Sequence, residues 1–354
     1  MSILLSPFFV RQAPYFREFT VSENQNSFAL DFEKPVRELE NQIKDLKEAS
    51  LRPGMDISKE IKALEKKVSI LIKDIYGNLT SWERVQLSRH PNRPHAIDYI
   101  NRMVTDFHDV AGDRHFADDP SIIAGFGFIG EQKVCVIGIE KGRKTKEKVV
   151  HNFGMPRPEG YRKAIRVMKM AERFNIPVIT FVDTPGAYPG IGAEERGQSS
   201  AIAENLAEMF GIKTPIVAIV IGEGGSGGAL GIAIADKVLM MEYSVYSVIS
   251  PESCASILWA DPKMAETAAN SLNLGPNKAL ELGIIDHIIL EPAGGAHRNV
   301  EEAIELVKDA VLKEINILSK LKSDKLLNLR FEKFRRMGNQ TIDFSDGADI
   351  KPYL

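Results

Sequence analysis

The N-terminal part of the chain has the hydrophobic spacing of two amphipathic helices. Within residues 36–75, apolar side chains recur every three or four positions and mostly polar or charged residues lie between them. The apolar positions are Val36, Leu39, Ile43 and Leu46, followed by Ile57, Ile61, Leu64, Val68, Leu71 and Ile75. Residues 50–54, Ser-Leu-Arg-Pro-Gly, predict a turn between the two stretches. We therefore expect an antiparallel helical hairpin whose charged faces are solvated or dock a partner subunit.

From about residue 120 the pattern becomes that of an α/β domain. Residues 122–129 and 133–140 alternate around a Gly-Glu-Gln turn, which predicts a β-hairpin. The next expected elements are a helix at 159–174, a buried strand at 176–183, a helix from Glu194 to about Phe210, and a buried strand at 216–221. Later we expect strands at 237–241, 245–249 and 284–290, helical stretches at 254–259 and 263–272, and an amphipathic helix at 300–318.

These changes of pattern divide the chain into four parts. We expect a loosely ordered N-terminal extension at 1–32, a helical hairpin with mixed helix and loop at 33–116, an α/β domain with a C-terminal helix at 117–322, and a polar tail at 323–354. The 354 residues suffice for a sizeable core. A net charge of −3 gives no general attraction to nucleic acid or to an anionic membrane.

Each of the two buried strands is followed by a glycine-rich loop and a helix. The first glycine loop is residues 184–192 (TPGAYPGIG), and the second glycine loop is residues 222–228 (GEGGSGG). Successive units of this kind place both loops at the same end of neighbouring parallel strands, where ligands bind in α/β sheets. Bare backbone in such loops lets a ligand approach main-chain N–H groups.

The second glycine loop fits three chemical patterns. It matches the dinucleotide-binding pattern G-x-G-x-x-G, with Glu242 near the distance of a ribose-binding acid. It also matches G-x-S-x-G, the nucleophile elbow of serine hydrolases, around Ser226. The third interpretation is an oxyanion hole built from backbone N–H groups. Tight strand–helix packing without a ligand is the simplest alternative, but it does not require five glycines in seven residues.

The surrounding sequence weighs against the first two patterns. A dinucleotide fingerprint belongs in the first βαβ unit of its domain, whereas this loop comes late. A serine hydrolase needs a histidine and an acid, and His287 or His297 with Asp286 follow in an allowed order, without a spacing that recommends them. Residues 182–186 resemble the D-x-x-G element of GTPases, but no phosphate-binding G-x-x-x-x-G-K-[ST] motif accompanies them.

Metal and redox chemistry have little support in the sequence. Histidines and carboxylates show no metal-ligand spacing, and the two cysteines, Cys135 and Cys254, are too few for a disulfide framework or a four-cysteine zinc site. They suit a reducing cytoplasm, and we expect no membrane span. The basic run from Lys141 to Lys148 is expected to be a solvated loop, with a phosphate-binding patch as the alternative.

Long motifs in the chain resemble the α subunit of bacterial-type acetyl-CoA carboxylase carboxyltransferase. The resemblance runs from about residue 32 to residue 317 and includes SWERVQLSRHPNRP at 81–94. Its most specific motifs are NFGMP-x-PEGYRKA at 152–164, VDTPGAYPG-x-x-AEERGQ at 182–198, IGEGGSGGAL at 221–230, SVISPE-x-CASILW at 247–259 and EP-x-GGAHR at 291–298. Ser253 departs from the family pattern, where glycine is expected, which questions the local backbone geometry.

The resemblance implies a crotonase-like (ClpP-like) fold, a superhelix of repeated ββα units with active sites at subunit interfaces. It implies transfer of the carboxyl group from carboxybiotin, presented in trans by biotin carboxyl carrier protein, to acetyl-CoA. The product would be malonyl-CoA for fatty-acid synthesis. The implied partners are a zinc-carrying β subunit in an α₂β₂ assembly and biotin carboxylase in the larger complex, with no metal in this chain.

The resemblance also implies roles for the glycine loops. Negative charge develops on the ureido oxygen of biotin, so the N–H groups of Gly227 and Gly228 would form its oxyanion hole. The implied biotin-binding residues around them are Gly224, Gly225, Ala229, Pro185, Gly186, Ala187, Tyr188, Pro189 and Gly190. A serine hydrolase of the same fold using Ser226 is the enzymatic alternative, and a non-enzymatic scaffold acting through the helical hairpin is the other.

Overall fold

The computed structural model describes residues 28–51 and 57–338. Most of the predicted N-terminal extension, most of the turn at 50–54 and the end of the predicted tail lie outside these residues. Within them, none of the helices combines the length and apolar composition that crossing a bilayer requires.

Among the described residues, eight strands form one mixed sheet whose order is β1-β2-β3-β4-β5-β6-β8, with β7 pairing beside the end of β5. Strands β1, β2 and β3 pair antiparallel, and every pairing from β3 to β8 is parallel. The strands are β1 (Thr105–Asp109), β2 (Ile122–Ile129), β3 (Gln132–Ile139), β4 (Val178–Thr184), β5 (Ile216–Gly225), β6 (Lys237–Met241), β7 (Val245–Ser247) and β8 (His287–Ile289). The α/β class and the β2–β3 hairpin are confirmed.

Fourteen α-helices surround the sheet in the described residues. The first seven are α1 (Lys34–Ser50), α2 (Ser58–Gly77), α3 (Ser81–Ser88), α4 (Ala96–Met103), α5 (Thr145–Val150), α6 (Pro158–Arg173) and α7 (Ile191–Glu195). The others are α8 (Gln198–Gly211), α9 (Ser226–Leu230), α10 (Pro251–Trp259), α11 (Ala265–Leu272), α12 (Pro276–Glu281), α13 (Val300–Leu318) and α14 (Ser323–Arg336).

Strand β5 lies in the middle of the sheet and is buried on both faces. Successive side chains of a strand point to opposite faces, so its two sets of apolar residues serve two different cores. Ile216, Ala218 and Val220 pack in one core with residues of α6 and α8. Val217, Ile219 and Ile221 belong to the other core, with residues of α4 and α13. The continuous apolar run that predicted a buried strand reflects this burial on both faces.

The predicted helical hairpin is confirmed as α1 and α2. Val36, Ile43, Val68 and Ile72 form its buried seam. That apolar cluster continues into Tyr243, in the turn between β6 and β7, so the hairpin is packed against the α/β domain.

Three expectations are wrong. Residues 105–109, expected within the region of helix and loop at 33–116, form strand β1 of the sheet. The helix predicted from Glu194 to about Phe210 is broken, because Gly197 adopts a left-handed conformation with φ of +80° and separates α7 from α8. The segment 323–336, predicted to belong to a polar tail, is helix α14. The segment is polar on average, and for that reason it was assigned to the tail. It nevertheless forms an amphipathic helix that buries Leu326 and Arg330.

Arg330 ties helix α14 to the sheet. Its guanidinium is fully buried and pairs with Asp236, with an Nη2–Oδ2 distance of 2.7 Å. Arg330 Nη1 also donates to the backbone oxygens of Met209 (2.6 Å) and Ile212 (2.8 Å). Asp236 Oδ2 in turn accepts the backbone N–H of Ile216 at 2.7 Å, so the pair reaches the first residue of β5.

We expect Arg330→Met to lower the free energy of unfolding by about 3–5 kcal/mol, because it leaves a buried carboxylate without its cation. Urea unfolding of the full chain, followed by circular dichroism, measures this change. Arg336→Met, at an exposed position of the same helix, is the matched control. A change at position 330 no larger than that of the control contradicts the assignment.

Candidate functional site

The two glycine loops lie against each other at the carboxyl ends of β4 and β5, which are parallel neighbours. A methyl group added to Gly225 would lie 2.2 Å from the carbonyl oxygen of Pro185. One added to Gly228 would lie 2.4 Å from the carbonyl carbon of Gly186. Because real side-chain carbons do not approach that closely, the backbone contact requires glycine at both positions.

The N–H groups of Gly227 and Gly228 are in the first turn of α9, where backbone donors have no partner within the helix. Neither N–H donates to another described residue. The two positions differ in their surroundings. A methyl group on Gly227 would come no closer than 3.8 Å to Ile202, whereas Gly228 is buried against the first glycine loop.

Hydrogen bonds from Tyr161 and Asn205 hold the backbone of α9 and of the residue after it. The Tyr161 hydroxyl donates to the carbonyl oxygen of Gly228 at 3.1 Å. Asn205 Nδ2 donates to the carbonyl oxygens of Tyr161 and Gly231, each at 2.9 Å. Both side chains are completely buried, so these hydrogen bonds are shielded from water. The orientation of the Gly227–Gly228 segment thus depends on α6 and α8.

The first glycine loop is held by its own hydrogen bonds. Thr184 Oγ1 accepts the N–H of Gly186 at 3.0 Å and donates to the carbonyl oxygen of Gly186 at 2.8 Å. The N–H of Tyr188 donates to the carbonyl oxygen of Pro156 at 3.0 Å. The Arg157 guanidinium lies 5.0 Å from the centre of the Tyr188 ring, within cation–π range.

The residues predicted to bind biotin differ in their exposure to solvent. Pro185, Gly224 and Gly225 line one small cavity, together with Thr184 and Glu223. Of the residues predicted to bind in the first loop, Pro185, Gly186, Ala187, Tyr188 and Gly190 are partly exposed and Pro189 is exposed. Ala229 is completely buried and its side chain belongs to the hydrophobic core.

An ion-pair network whose centre is largely buried supports both loops. Lys141 Nζ lies 2.7 Å from Asp183 Oδ1 and 2.7 Å from Glu223 Oε2. Glu223 Oε1 also accepts from Arg89 Nε at 2.5 Å, and Arg89 Nη1 lies 2.5 Å from Glu252 Oε1. The network thus connects residues just after β3, in β4 and in β5 with the residue that follows α3 and with α10. Sequence analysis missed it, although Asp183 immediately precedes the first glycine loop and Glu223 lies within the second.

The charges of this network determine the protonation of Glu223. Burial by itself would raise the pKa of the Glu223 carboxyl. The positive charges of Lys141 and Arg89 outweigh that effect and lower its pKa from 4.5 to about 2. The carboxylates likewise raise the pKa of Lys141 despite its burial. Glu223 is therefore an ionised positioning group near neutral pH.

The basic run at 141–148 is not one solvated loop. Lys141 is in the buried network, and Arg143 pairs with Asp98. Helix α5 begins at Thr145, inside the run, and of its two lysines Lys146 is exposed and Lys148 is partly buried. Spacing alone could not separate these roles, because the partners come from distant parts of the chain.

The residues of the serine hydrolase alternative are not joined in a triad. Among the described residues, no hydrogen bond connects Ser226 Oγ with a histidine or carboxylate. His297 Nε2 contacts Glu33 Oε1 at 2.8 Å, near the helical hairpin. Asp286 accepts from the backbone N–H of Val238 and from Lys333, at 2.8 and 2.9 Å. His287 is exposed at the edge of the sheet.

Ser253 fits a regular helix. Its N–H donates to Ser250 Oγ at 3.2 Å, an N-terminal cap of α10. The two hydroxyl groups are 2.9 Å apart. The backbone at this position does not require the glycine that the family pattern contains.

Glu33, His90 and His297 form a cluster of potential metal ligands within 4.8 Å of one another, which their sequence spacing did not reveal. Glu33 Oε1 accepts from Tyr76 Oη at 2.5 Å and contacts His297 Nε2 at 2.8 Å. Glu33 Oε2 accepts the N–H of Leu30 at 2.8 Å. Burial would raise the pKa of Glu33, but these partners lower it to about 2.

The protonation of His90 opposes metal binding in this cluster. Its Nδ1 accepts the backbone N–H of Asn92 at 3.1 Å, which assigns the ring proton to Nε2, the atom facing Glu33. Burial lowers the pKa of His90 to about 3, so the ring is neutral. The nitrogen that faces Glu33 thus lacks the free lone pair that a metal needs. The cluster is instead a hydrogen-bonded junction between the hairpin and the α/β domain.

Comparison with known proteins identifies close relatives over most of the chain. Residues 29–338 match the family described as acetyl co-enzyme A carboxylase carboxyltransferase-like. The chain is 53% identical over 309 residues to the acetyl-coenzyme A carboxylase carboxyl transferase subunit alpha of Xanthomonas axonopodis pv. citri, covering 87% of this chain and 97% of that protein. It is 54% identical over 309 residues to the Fusobacterium nucleatum subunit of the same name, covering 87% of this chain and 99% of that protein.

A solved structure supports the fold. A chain of the Pseudomonas malonate decarboxylase hetero-tetramer in complex with coenzyme A is 13% identical, with a TM-score of 0.50. The match covers 60% of this chain and 85% of that chain. The matched part of this chain therefore shares the fold of that chain. The serine hydrolase alternative finds no support in these comparisons.

We expect Gly228→Ala to destabilise the protein by about 1–3 kcal/mol, because its methyl group collides with the backbone of the first glycine loop. Gly227→Ala should cost less, since its methyl group has room. Urea unfolding of both variants compares two alanines at adjacent positions. Equal losses of stability contradict the described backbone contact.

The lowered pKa of Glu223 predicts a pH-dependent contribution to stability. A carboxylate whose pKa falls on folding stabilises the protein above its unfolded value, here 4.5, and loses that contribution as the pH falls towards about 2. The difference in unfolding free energy between wild type and Glu223→Gln should therefore shrink steadily below pH 4.5. Urea unfolding at several pH values measures it, with exposed Glu208→Gln as control. A pH-independent difference contradicts the network.

Proposed function

The chain belongs to the family of acetyl-CoA carboxylase carboxyltransferase α subunits, and on this premise we propose how its glycine loops act. As a carboxyltransferase, it acts on a biotin-linked carboxyl group within a multi-subunit enzyme. We propose that carboxybiotin on the carrier protein is the donor and acetyl-CoA the acceptor. The observation that carries the proposed site is the pair of unpartnered N–H groups of Gly227 and Gly228 beside the first glycine loop.

The residues present fit a biotin ureido group. Its carbonyl oxygen needs hydrogen-bond donors, and two adjacent N–H groups in the first turn of α9 supply them without a side chain in the way. When bound, carboxybiotin supplies the carboxyl group that is transferred. The exposed or partly exposed residues of the first glycine loop would form the wall beside it.

The oxyanion hole acts by stabilising negative charge. As charge develops on the ureido oxygen, the N–H groups of Gly227 and Gly228 donate to it more strongly than to the neutral group. One such donor contributes about 3–4 kcal/mol to lowering a barrier. Tyr161 and Asn205 fix the direction of these groups, so little reorganisation is needed during the reaction. No side chain of this chain is required as a nucleophile.

A second subunit would complete the site. Several large apolar side chains are exposed in the first glycine loop, in α9, after β7 and in α10: Ile191, Leu230, Val248, Ile257 and Leu258. Exposed apolar residues in this number are typical of a protein interface. We propose that they contact a β subunit in an α₂β₂ assembly, which contributes the acetyl-CoA site and the zinc.

The remaining partners follow from the same proposal. Biotin carboxyl carrier protein would present the biotin, and biotin carboxylase would recharge it in the larger ATP-dependent complex. The two cysteines of this chain are free and buried, so neither is an obvious zinc ligand. A cytoplasmic location stays a prediction.

We expect Gly228→Val to reduce carboxyl transfer at least 100-fold, because the side chain closes the contact between the loops and displaces one oxyanion donor. Ser226→Ala should retain activity within about threefold, since no step uses its hydroxyl group. Malonyl-CoA-dependent carboxylation of biocytin, with the β subunit present, measures both variants.

The pair of variants separates the two chemistries that the second glycine loop can support. Circular dichroism and co-purification with the β subunit establish that each variant is folded and assembled. Full activity of folded Gly228→Val would contradict the assignment of the Gly228 N–H to the oxyanion hole. Loss of activity in Ser226→Ala, with fluorophosphonate labelling of the wild-type serine, would instead indicate a hydrolase.

A further inference from the structure

A second cleft lies between the end of the hairpin and the α/β domain, and it shares no lining residue with the small cavity at the glycine loops. We call it the Arg84 cleft. It has a volume of about 410 Å³, which is within the usual range for small-molecule sites. Its lining comes from the end of α2, from α3, from the β6–β7 turn and from the region of α12 and β8. The residues that matter for its chemistry are Lys73, Arg84, Glu242, Tyr243, Ile288 and Leu290.

Arg84 is a largely buried cation without a carboxylate partner. Its Nη1 donates to the backbone carbonyl oxygen of Glu242 at 2.5 Å, and its guanidinium carbon lies 5.6 Å from the centre of the Tyr243 ring. Within the described residues, no carboxylate lies within ion-pair distance of Arg84, and its Nε and Nη2 make no hydrogen bond. Burial lowers the pKa of Arg84, because its surroundings do not compensate the charge fully.

The other charges around the cleft leave it favourable to an anion. Lys73 is exposed and has no ion-pair partner in the part of the chain that the structure describes. Glu242 contributes one negative charge, and its Oε2 accepts the N–H of Glu291 at 3.0 Å. Arg93 and Glu291 pair with each other at 2.5 Å and so nearly cancel. The lining of the cleft therefore carries two positive charges, on Lys73 and Arg84, and one negative charge, on Glu242.

We propose that the Arg84 cleft binds an organic phosphate, with the phosphate group on Arg84 and Lys73 and an apolar group against Ile288 and Leu290. Guanidinium groups bind phosphate oxygens through paired N–H donors, and two such donors of Arg84 are unused. The ring of Tyr243 and the apolar residues offer a surface for the remainder of the ligand. This site is separate from the proposed transferase chemistry, and its test does not depend on that activity.

The test is isothermal titration of the full-length chain in low-salt buffer with phenyl phosphate and with inorganic phosphate. We expect saturable binding of one phenyl phosphate per chain, about tenfold tighter than that of inorganic phosphate, because only the former has an apolar group. Arg84→Met should weaken phenyl phosphate binding at least tenfold. Arg173→Met, at an exposed position on α6 outside the cleft, should leave it unchanged.

Two further variants test the proposal even if Arg84→Met does not fold. Lys73→Met alters an exposed side chain and should weaken binding about threefold. Glu242→Gln keeps an oxygen for the N–H of Glu291 but removes the opposing charge, so it should tighten binding about threefold. No saturable binding by the wild-type chain overturns the proposal. So does an affinity unchanged by Arg84→Met, or weakened by Glu242→Gln.

Discussion

The close approach of two backbone segments is the constraint on which the site depends. At Gly225 and Gly228, the chain passes so near to residues 185–186 that a single methyl group would overlap main-chain atoms. Such an approach brings the ends of β4 and β5 together without side chains between them. The polar backbone groups of the two loops also need surroundings that hold them in one orientation. Tyr161 and Asn205 on one side, and the Lys141–Asp183–Glu223 network on the other, supply those surroundings.

Local patterns predicted much of this architecture. The run at 216–221 is apolar at every position because both faces of β5 are covered, and the glycines after it mark where the strand meets its neighbour's loop. The hairpin helices were predictable for a similar reason, since their seam follows the helical period. The long motifs then identified the family, which the comparisons confirmed.

Contacts between distant residues were not predictable in the same way. Lys141 belongs to a basic run, and nothing nearby indicates that its partners are Asp183 and Glu223. Helix α14 was missed because its mean polarity is high, although Arg330 is completely buried through a pair with Asp236. Gly197 interrupts a helix that its neighbours favour. In each case tertiary contacts or a single backbone conformation overrides local preference.

The junction between the hairpin and the α/β domain has a consequence for biosynthesis. Glu33 contacts His297, 264 residues later in the chain, and Arg298 contacts Glu40 across 258 residues. A ribosome adding about 5–20 residues per second needs roughly 13–50 seconds to make that length of chain. During this interval the hairpin can form its own seam, but His297 and Arg298 are not yet part of the chain. The contacts of the hairpin with these two residues therefore form only after all eight described strands have been made, and they cannot guide the folding of the hairpin helices themselves.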